Sequence, residues 1–253
     1  MSFKEGVLPI VWGLVLFTLL IGASQAIVGL NVALSPAVPW FPLPAWLLLA
    51  AASWWANRRW PFRLNAAAGG RAYAVIVLLT CGVISLGVIE SWWHDVTIPA
   101  PTWPDETLSA TFQLMYLFTL PLIAAVLAEL YFRGLMQTAL EKVISVWPML
   151  ILIAVLNFLM HFYDPHMFSQ MFRLLALNVV WGWVTWRTQS LRPALFAHVA
   201  MNIGTAALQY GSENYGPGPV PFGDFTPGTL AILAVSGIIA LVAGLQLGKG
   251  LGR

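Results

Sequence analysis

Residues 109–135 read SATFQLMYLFTLPLIAAVLAELYFRGL, a stretch whose only charges are Glu129 and Arg133. A bilayer-spanning helix needs about 20 predominantly apolar residues, so this stretch is long enough to cross once. Its neighbours read alike, with apolar runs at 7–30, 40–57, 72–90, 144–162, 171–187, 192–210 and 228–247. These runs predict an all-α, polytopic membrane protein of about eight transmembrane helices, one bundle over residues 1–253. The second run is the least regular. Pro36, Pro39, Pro42 and Pro44 crowd its start, which leaves a tilted or re-entrant course open to it.

Composition agrees with lipid as the main solvent. Of 253 residues, 59% are hydrophobic and 9% are charged, against about 25% charged in an average soluble domain. The net charge of +2 is small and scattered, so nucleic acid is not an expected partner. The single cysteine, Cys81, excludes an internal disulfide and a Cys-rich metal site; in its apolar run it reads as buried packing. Ser24-Gln25-Ala26 resembles a signal-peptidase site, but the apolar run continues through Ile27, Val28 and Leu30, so the first segment reads as a retained helix.

Loop charges predict the orientation. With a cytoplasmic N-terminus, eight crossings leave Lys4, Arg58, Arg59, Arg63, Arg71, Lys142, Arg187, Arg192, Lys249 and Arg253 inside. Glu90, Asp95, Asp105, Glu106, Asp164, Glu213 and Asp224 fall outside. The positive-inside rule rests on Lys and Arg in short loops, so both termini are expected in the cytoplasm. Trp54, Trp55, Trp92, Trp93, Trp147 and Trp186 sit at run ends and suit interfacial belts. The Gly/Pro-rich stretch 211–227 reads as an external loop, either a lid or a plain connector.

Ionisable groups at membrane depth cost about 2.5–3.5 kcal/mol on insertion scales and so mark function by default. Glu129 and Arg133 are four apart and share a helix face, where they can pair. His161 follows Asn157 by one turn, and His198 precedes Asn202 by one turn. These polar groups need partners in hydrocarbon, and the natural partners are one another. Two imidazoles and a carboxylate suit zinc or iron, though no HExxH-type spacing is present. The same groups suit hydrolysis, with one to activate water and others to donate to an oxyanion. A proton or ion relay in a transporter is a third use, but the internal repeats such folds carry are not visible.

These motifs resemble those of the CPBP family, the CAAX-protease and bacteriocin-processing membrane proteins. That family carries Glu-Glu-x-x-x-Arg on one helix, a His on the next, and His-x-x-x-Asn on a later one. The matching residues are Glu129 and Arg133 in AELYFRG, His161 in NFLMH, and His198 with Asn202 in HVAMN, over about residues 109–205. Phe132, Gly134 and Pro193 also fit. The resemblance implies a glutamic-type intramembrane endopeptidase that needs no cofactor or metal. Its implied partners are the bilayer and a membrane-anchored protein or peptide: a prenylated CAAX-like tail, a C-terminal sorting anchor or a leader peptide. The implied setting is a bacterial or archaeal plasma membrane. In the family, the first Glu and the second-motif His activate water, and the last His and Asn hold the oxyanion.

One position departs. Ala128 stands where the family has its first Glu, and Glu129 aligns with the second. Adjacent α-helical positions differ by about 100°, so Glu129 replaces a residue at 128 only if the helix rotates or unwinds. Ala128 reads first as a truncating replacement of a glutamate, secondly as the mark of a non-catalytic peptide-binding protein. The third reading is that Glu129 serves after a local distortion below Pro121. Asn157, where the family often has Phe, is a lesser departure. The depth count adds a demand: His198 lies six residues past Arg192 and His161 nineteen past Lys142, so one shared site requires tilt, a late fifth helix or a recessed seventh.

Overall fold

The computed structural model describes residues 3–64, 66–94, 108–162, 167–215 and 226–251, and all of its regular structure is helical. Each expected run is a helix: α1 (Phe3–Leu34), α2 (Pro42–Arg59), α3 (Gly70–Trp93), α4 (Ala110–Ala128), α6 (Val146–Leu159), α7 (Met171–Thr188), α8 (Arg192–Tyr215) and α9 (Pro227–Gly248). After α4 the chain winds on as a π-helix, Glu129–Gln137, and ends in one turn, α5 (Thr138–Leu140). Val7–Leu34, Gly70–Trp93, Ala110–Leu140 and Pro227–Gly248 are by themselves long and apolar enough to cross a membrane. The chain is an all-α polytopic membrane protein. The expected external loop falls mostly outside the described residues, which resume at Thr226; α8 runs on to Tyr215, inside the stretch read as loop.

Two units make up the chain. The first gathers α1, α2, α4, the π-helix and α8 from His198 onward. Its Pro-crowded start of α2 is regular helix, with proline in the first turn, where the missing N–H leaves no intrahelical bond broken. The preceding turn is organised by Asn31, a fully buried amide at the end of α1. Its Oδ1 accepts from the backbone N–H groups of Trp40 and Phe41, both at 2.8 Å. Its Nδ2 donates to the carbonyls of Ser35 at 2.9 Å and Val38 at 3.0 Å. Phe41 then packs with Val28, Leu108 and Phe112, and Ser109 caps α4 by accepting from Phe112 N at 3.1 Å.

Within the same unit α1 lies against the π-helix. A Cβ on Gly13 would stand 2.8 Å from Met136 Cγ, so any larger residue here requires Met136 to shift. One turn on, Phe17 meets Phe132 edge-on, with ring centroids 5.2 Å apart. All nine residues of the π-helix are buried.

The second unit gathers α3, α6, α7, α9 and the first turn and a half of α8. α3 and α9 meet through glycines: a Cβ on Gly82 would lie 2.9 Å from the Gly237 carbonyl, and one on Gly244 2.7 Å from Leu79. Small residues let helix backbones approach where lipid supplies no hydrophobic drive between helices. Trp181 Nε1 donates to Thr80 Oγ1 at 2.9 Å between α7 and α3. Glu90, at the end of α3, caps α7 from outside, accepting from Phe172 N at 2.6 Å and Arg173 N at 3.0 Å. Arg63 and Glu141 form a two-pronged ion pair at 2.7 and 2.8 Å. Cys81 corrects its reading as buried packing, because it is exposed on α3. The face of α3 that turns inward carries Gly82 and Val83, and lipid solvates a thiol as readily as a protein interior does.

Candidate functional site

The site is built on the change of winding after Ala128. A π-helix bonds i to i+5 and fits more residues into each turn than the 3.6 of an α-helix, so successive side chains are less than about 100° apart. Such segments are rare and recur at functional sites. Here the π-winding starts at Glu129 itself. The helix is therefore unwound at the one place where the motif is a residue out of step.

Glu129 and Arg133 are both fully buried. Glu129 Oε1 is ion-paired with an Arg133 guanidinium nitrogen at 3.2 Å, as the four-residue spacing predicts. The same Oε1 accepts a hydrogen bond from His198 Nδ1 on α8 at 2.9 Å, across 69 positions of sequence. Glu129 Oε2 has no hydrogen-bond partner among the described residues. The His198 side chain is 15% exposed, so the imidazole reaches from the buried pair to accessible surface.

Asn202, one turn beyond His198, fixes α8 a second time. Its Nδ2 donates to the backbone carbonyl of Pro121 at 2.7 Å. An amide nitrogen has two N–H groups, so this bond uses one of them. The carbonyl of Pro121 carries no motif, and nothing in the sequence marks it as the partner of Asn202. Three of the expected residues, Glu129, His198 and Asn202, are thus brought together in the first unit, with Arg133 behind Glu129.

His161 belongs to the second unit and follows the last turn of α6. Its Nδ1 lies 2.9 Å from the carbonyl oxygen of Asn157. A carbonyl only accepts, so in this bond Nδ1 carries the proton and the basic nitrogen of the neutral ring is Nε2. Asn157 is buried; its backbone, which any residue supplies, orients the imidazole.

Residues 110–204 match the family model Rce1-like, described as type II CAAX prenyl endopeptidase Rce1-like. The segment is similar to that family. It runs from the first residue of α4 to two residues beyond Asn202 and contains Glu129, Arg133, His161, His198 and Asn202. The CPBP resemblance read from the motifs is borne out over these residues. No curated protein and no solved structure gives a match.

Of the groups in the first unit's cluster, Glu129 and His198 are of the type that metals take, and tetrahedral sites use further such ligands. Among the described residues, no three His, Cys, Asp or Glu side chains are gathered to hold a metal. What the first unit offers is a buried carboxylate fixed by a guanidinium, an imidazole aligned by that carboxylate, and an amide one turn away.

Proposed function

We propose that this protein is an intramembrane endopeptidase that hydrolyses a peptide bond in a membrane-anchored protein or peptide, with a prenylated CAAX-like tail as the first candidate substrate. A C-terminal sorting anchor or a leader peptide is the next choice. The observation that carries the reading is the 2.9 Å bond from His198 Nδ1 to the fully buried Glu129. Hydrolysis needs a group to take a proton from water and donors to meet the charge on the carbonyl oxygen. Glu129, His161, His198 and Asn202 are the catalytic set proposed here, with Arg133 holding Glu129. No cofactor is assigned. The Rce1-like match over 110–204 supports the CAAX-type substrate class.

The charge distribution supports a plasma-membrane protein, bacterial or archaeal, with both termini cytoplasmic. Residues 1–253 then form one transmembrane bundle around a core at about 109–205. Ala128 supports a second reading, a scaffold that binds membrane peptides without cutting them. One assay separates the two. Wild type and His198→Ala, each reconstituted in liposomes, are given farnesylated CAAX peptides, sorting-anchor peptides and leader peptides. Endopeptidase function predicts cleavage by wild type that His198→Ala abolishes. If wild type binds such a peptide and cuts none of them, the non-catalytic reading stands instead.

A further inference from the structure

We infer that the α3–α9 contact of the second unit ends in a binding site for the headgroup of an anionic phospholipid, formed by Arg71, Arg187 and Lys249. The three cations come from three helices. Arg71 lies in the first turn of α3, Arg187 in the last turn of α7, and Lys249 directly follows α9. The backbone end of α9 gathers them. Arg71 Nε donates to the Leu247 carbonyl at 2.9 Å, and its guanidinium occupies the place a Cβ on Gly250 would take. One terminal nitrogen of Arg187 donates to the carbonyls of Leu251 at 2.8 Å and Lys249 at 3.3 Å.

Guanidinium groups also serve simply to satisfy the last carbonyls of a helix and to complement its dipole. That role accounts for Arg71 Nε and one Arg187 nitrogen, and for nothing more. The terminal nitrogens of Arg71 and the Lys249 ammonium make no hydrogen bond among the described residues, and Arg187 Nε is buried without a partner there. No carboxylate balances the three charges. The acids among the described residues of this unit are Glu90, at the far end of α3, and Glu141, which is ion-paired with Arg63. A phosphodiester supplies the missing negative charge, and a guanidinium fork fits two of its oxygens at once.

The shape of α9 makes that phosphate a lipid's. Of the four spans long and apolar enough to cross a membrane, Pro227–Gly248 is the least buried. Val235, Ile238, Val242 and Leu245 are all more than half exposed. They recur every three or four residues, so they form one apolar stripe along the helix. Lys249 comes four residues after Leu245, which puts its ammonium at the end of that stripe. Acyl chains lying on the stripe bring their phosphate to the three cations, whereas a soluble phosphate gains nothing from it. In the proposed orientation this end meets the cytoplasmic leaflet, where anionic lipids attract Lys and Arg.

Native mass spectrometry of the full chain from mixed micelles tests this, with phosphatidylglycerol set against phosphatidylcholine of the same acyl chains. Wild type should retain phosphatidylglycerol in preference. Arg71→Gln and Lys249→Gln should each weaken that binding about fivefold. Arg71→Lys, which keeps the charge and loses the fork, should fall between wild type and Arg71→Gln. Both positions are exposed, so all these variants should melt as wild type does in phosphatidylcholine alone. Added phosphatidylglycerol should then raise the melting temperature of wild type and leave that of the double variant unchanged. Arg58→Gln with Arg59→Gln, an exposed pair on α2 of the first unit, should bind as wild type does. Equal retention of the two lipids overturns the inference. An equal loss in the Arg58/Arg59 variant overturns it too, since that would mark a general basic belt rather than a site. Displacement of bound phosphatidylglycerol by an equal concentration of glycerol phosphate would assign the cations to soluble phosphate and overturn it likewise.

Discussion

Asn202 and Pro121 are joined by a 2.7 Å hydrogen bond from a side-chain amide to a backbone carbonyl, which ties α8 to α4 one turn beyond the His198–Glu129 contact. Interhelical hydrogen bonds in membranes are worth about 0.6 kcal/mol on average and up to about 1.7. Asn202→Ala should therefore lower stability by about 1 kcal/mol, measured by reversible unfolding in mixed micelles. Under the proposed endopeptidase function, cleavage should fall much further, by about 10²-fold, because the proposed oxyanion donor is lost as well as a tether. A loss of cleavage no larger than the stability change explains would reduce Asn202 to a tether alone.

Arg133 and Glu129 are both fully buried, so they should fail singly and be tolerated jointly. Arg133→Ala leaves the buried Glu129 carboxylate without its guanidinium and with His198 as its remaining hydrogen-bond partner among the described residues; breaking a buried ion pair costs about 3–5 kcal/mol. The expected result is poor yield and early thermal unfolding. Glu129→Gln combined with Arg133→Met removes both charges, and its melting temperature should return toward wild type while cleavage stays absent. Thermal unfolding of the single and double variants checks this.

Gly13 is a packing position that acts on the site at a distance. A side chain there meets Met136 in the π-helix at 2.8 Å, and overpacking of this kind costs about 1–3 kcal/mol. Gly13→Leu should reduce cleavage although Gly13 has no polar group to offer, and Met136→Ala in the same chain should restore part of it. Equal activity of Gly13→Leu and wild type would mean that the π-helix tolerates displacement.

Gly82 provides the contrasting case. Its neighbours are Leu241 and the Gly237 carbonyl, in the α3–α9 contact of the second unit. A backbone atom cannot rotate away as a methionine can. Gly82→Leu should thus unfold at lower temperature than Gly82→Ala, and both below wild type, by calorimetry or thermal-shift measurement.

Much of this was legible in the chain and some was not, for identifiable reasons. The eight helices follow from the apolar runs, and four of the described spans are by themselves long and apolar enough to cross lipid. The spacing of Glu129 and Arg133 gave their pairing directly. The π-winding left no trace in composition; Phe132 and Met136 within it pack on Phe17 and Gly13. That winding matters to the site, because the α-helical step of about 100° separates the direction of Glu129 from that of residue 128. Asn31 went unnoticed because a single amide near a helix end belongs to no motif. Cys81 was misread because an apolar run does not say which of its faces meets lipid.

The four hydrogen bonds of Asn31 have a consequence for biogenesis. They all end within residues 31–41, so these bonds of the turn between α1 and α2 come from its own short stretch of chain, while the Ala37 carbonyl accepts from Ser109 at 3.2 Å. A nascent chain carrying only these two helices already holds all four of the Asn31 bonds. The pair can leave the insertion machinery as a hairpin held by Asn31 while the segments that carry Glu129, His198 and Asn202 are still being translated. Asn31 would then serve the protein earliest in its life, before there is a site to protect.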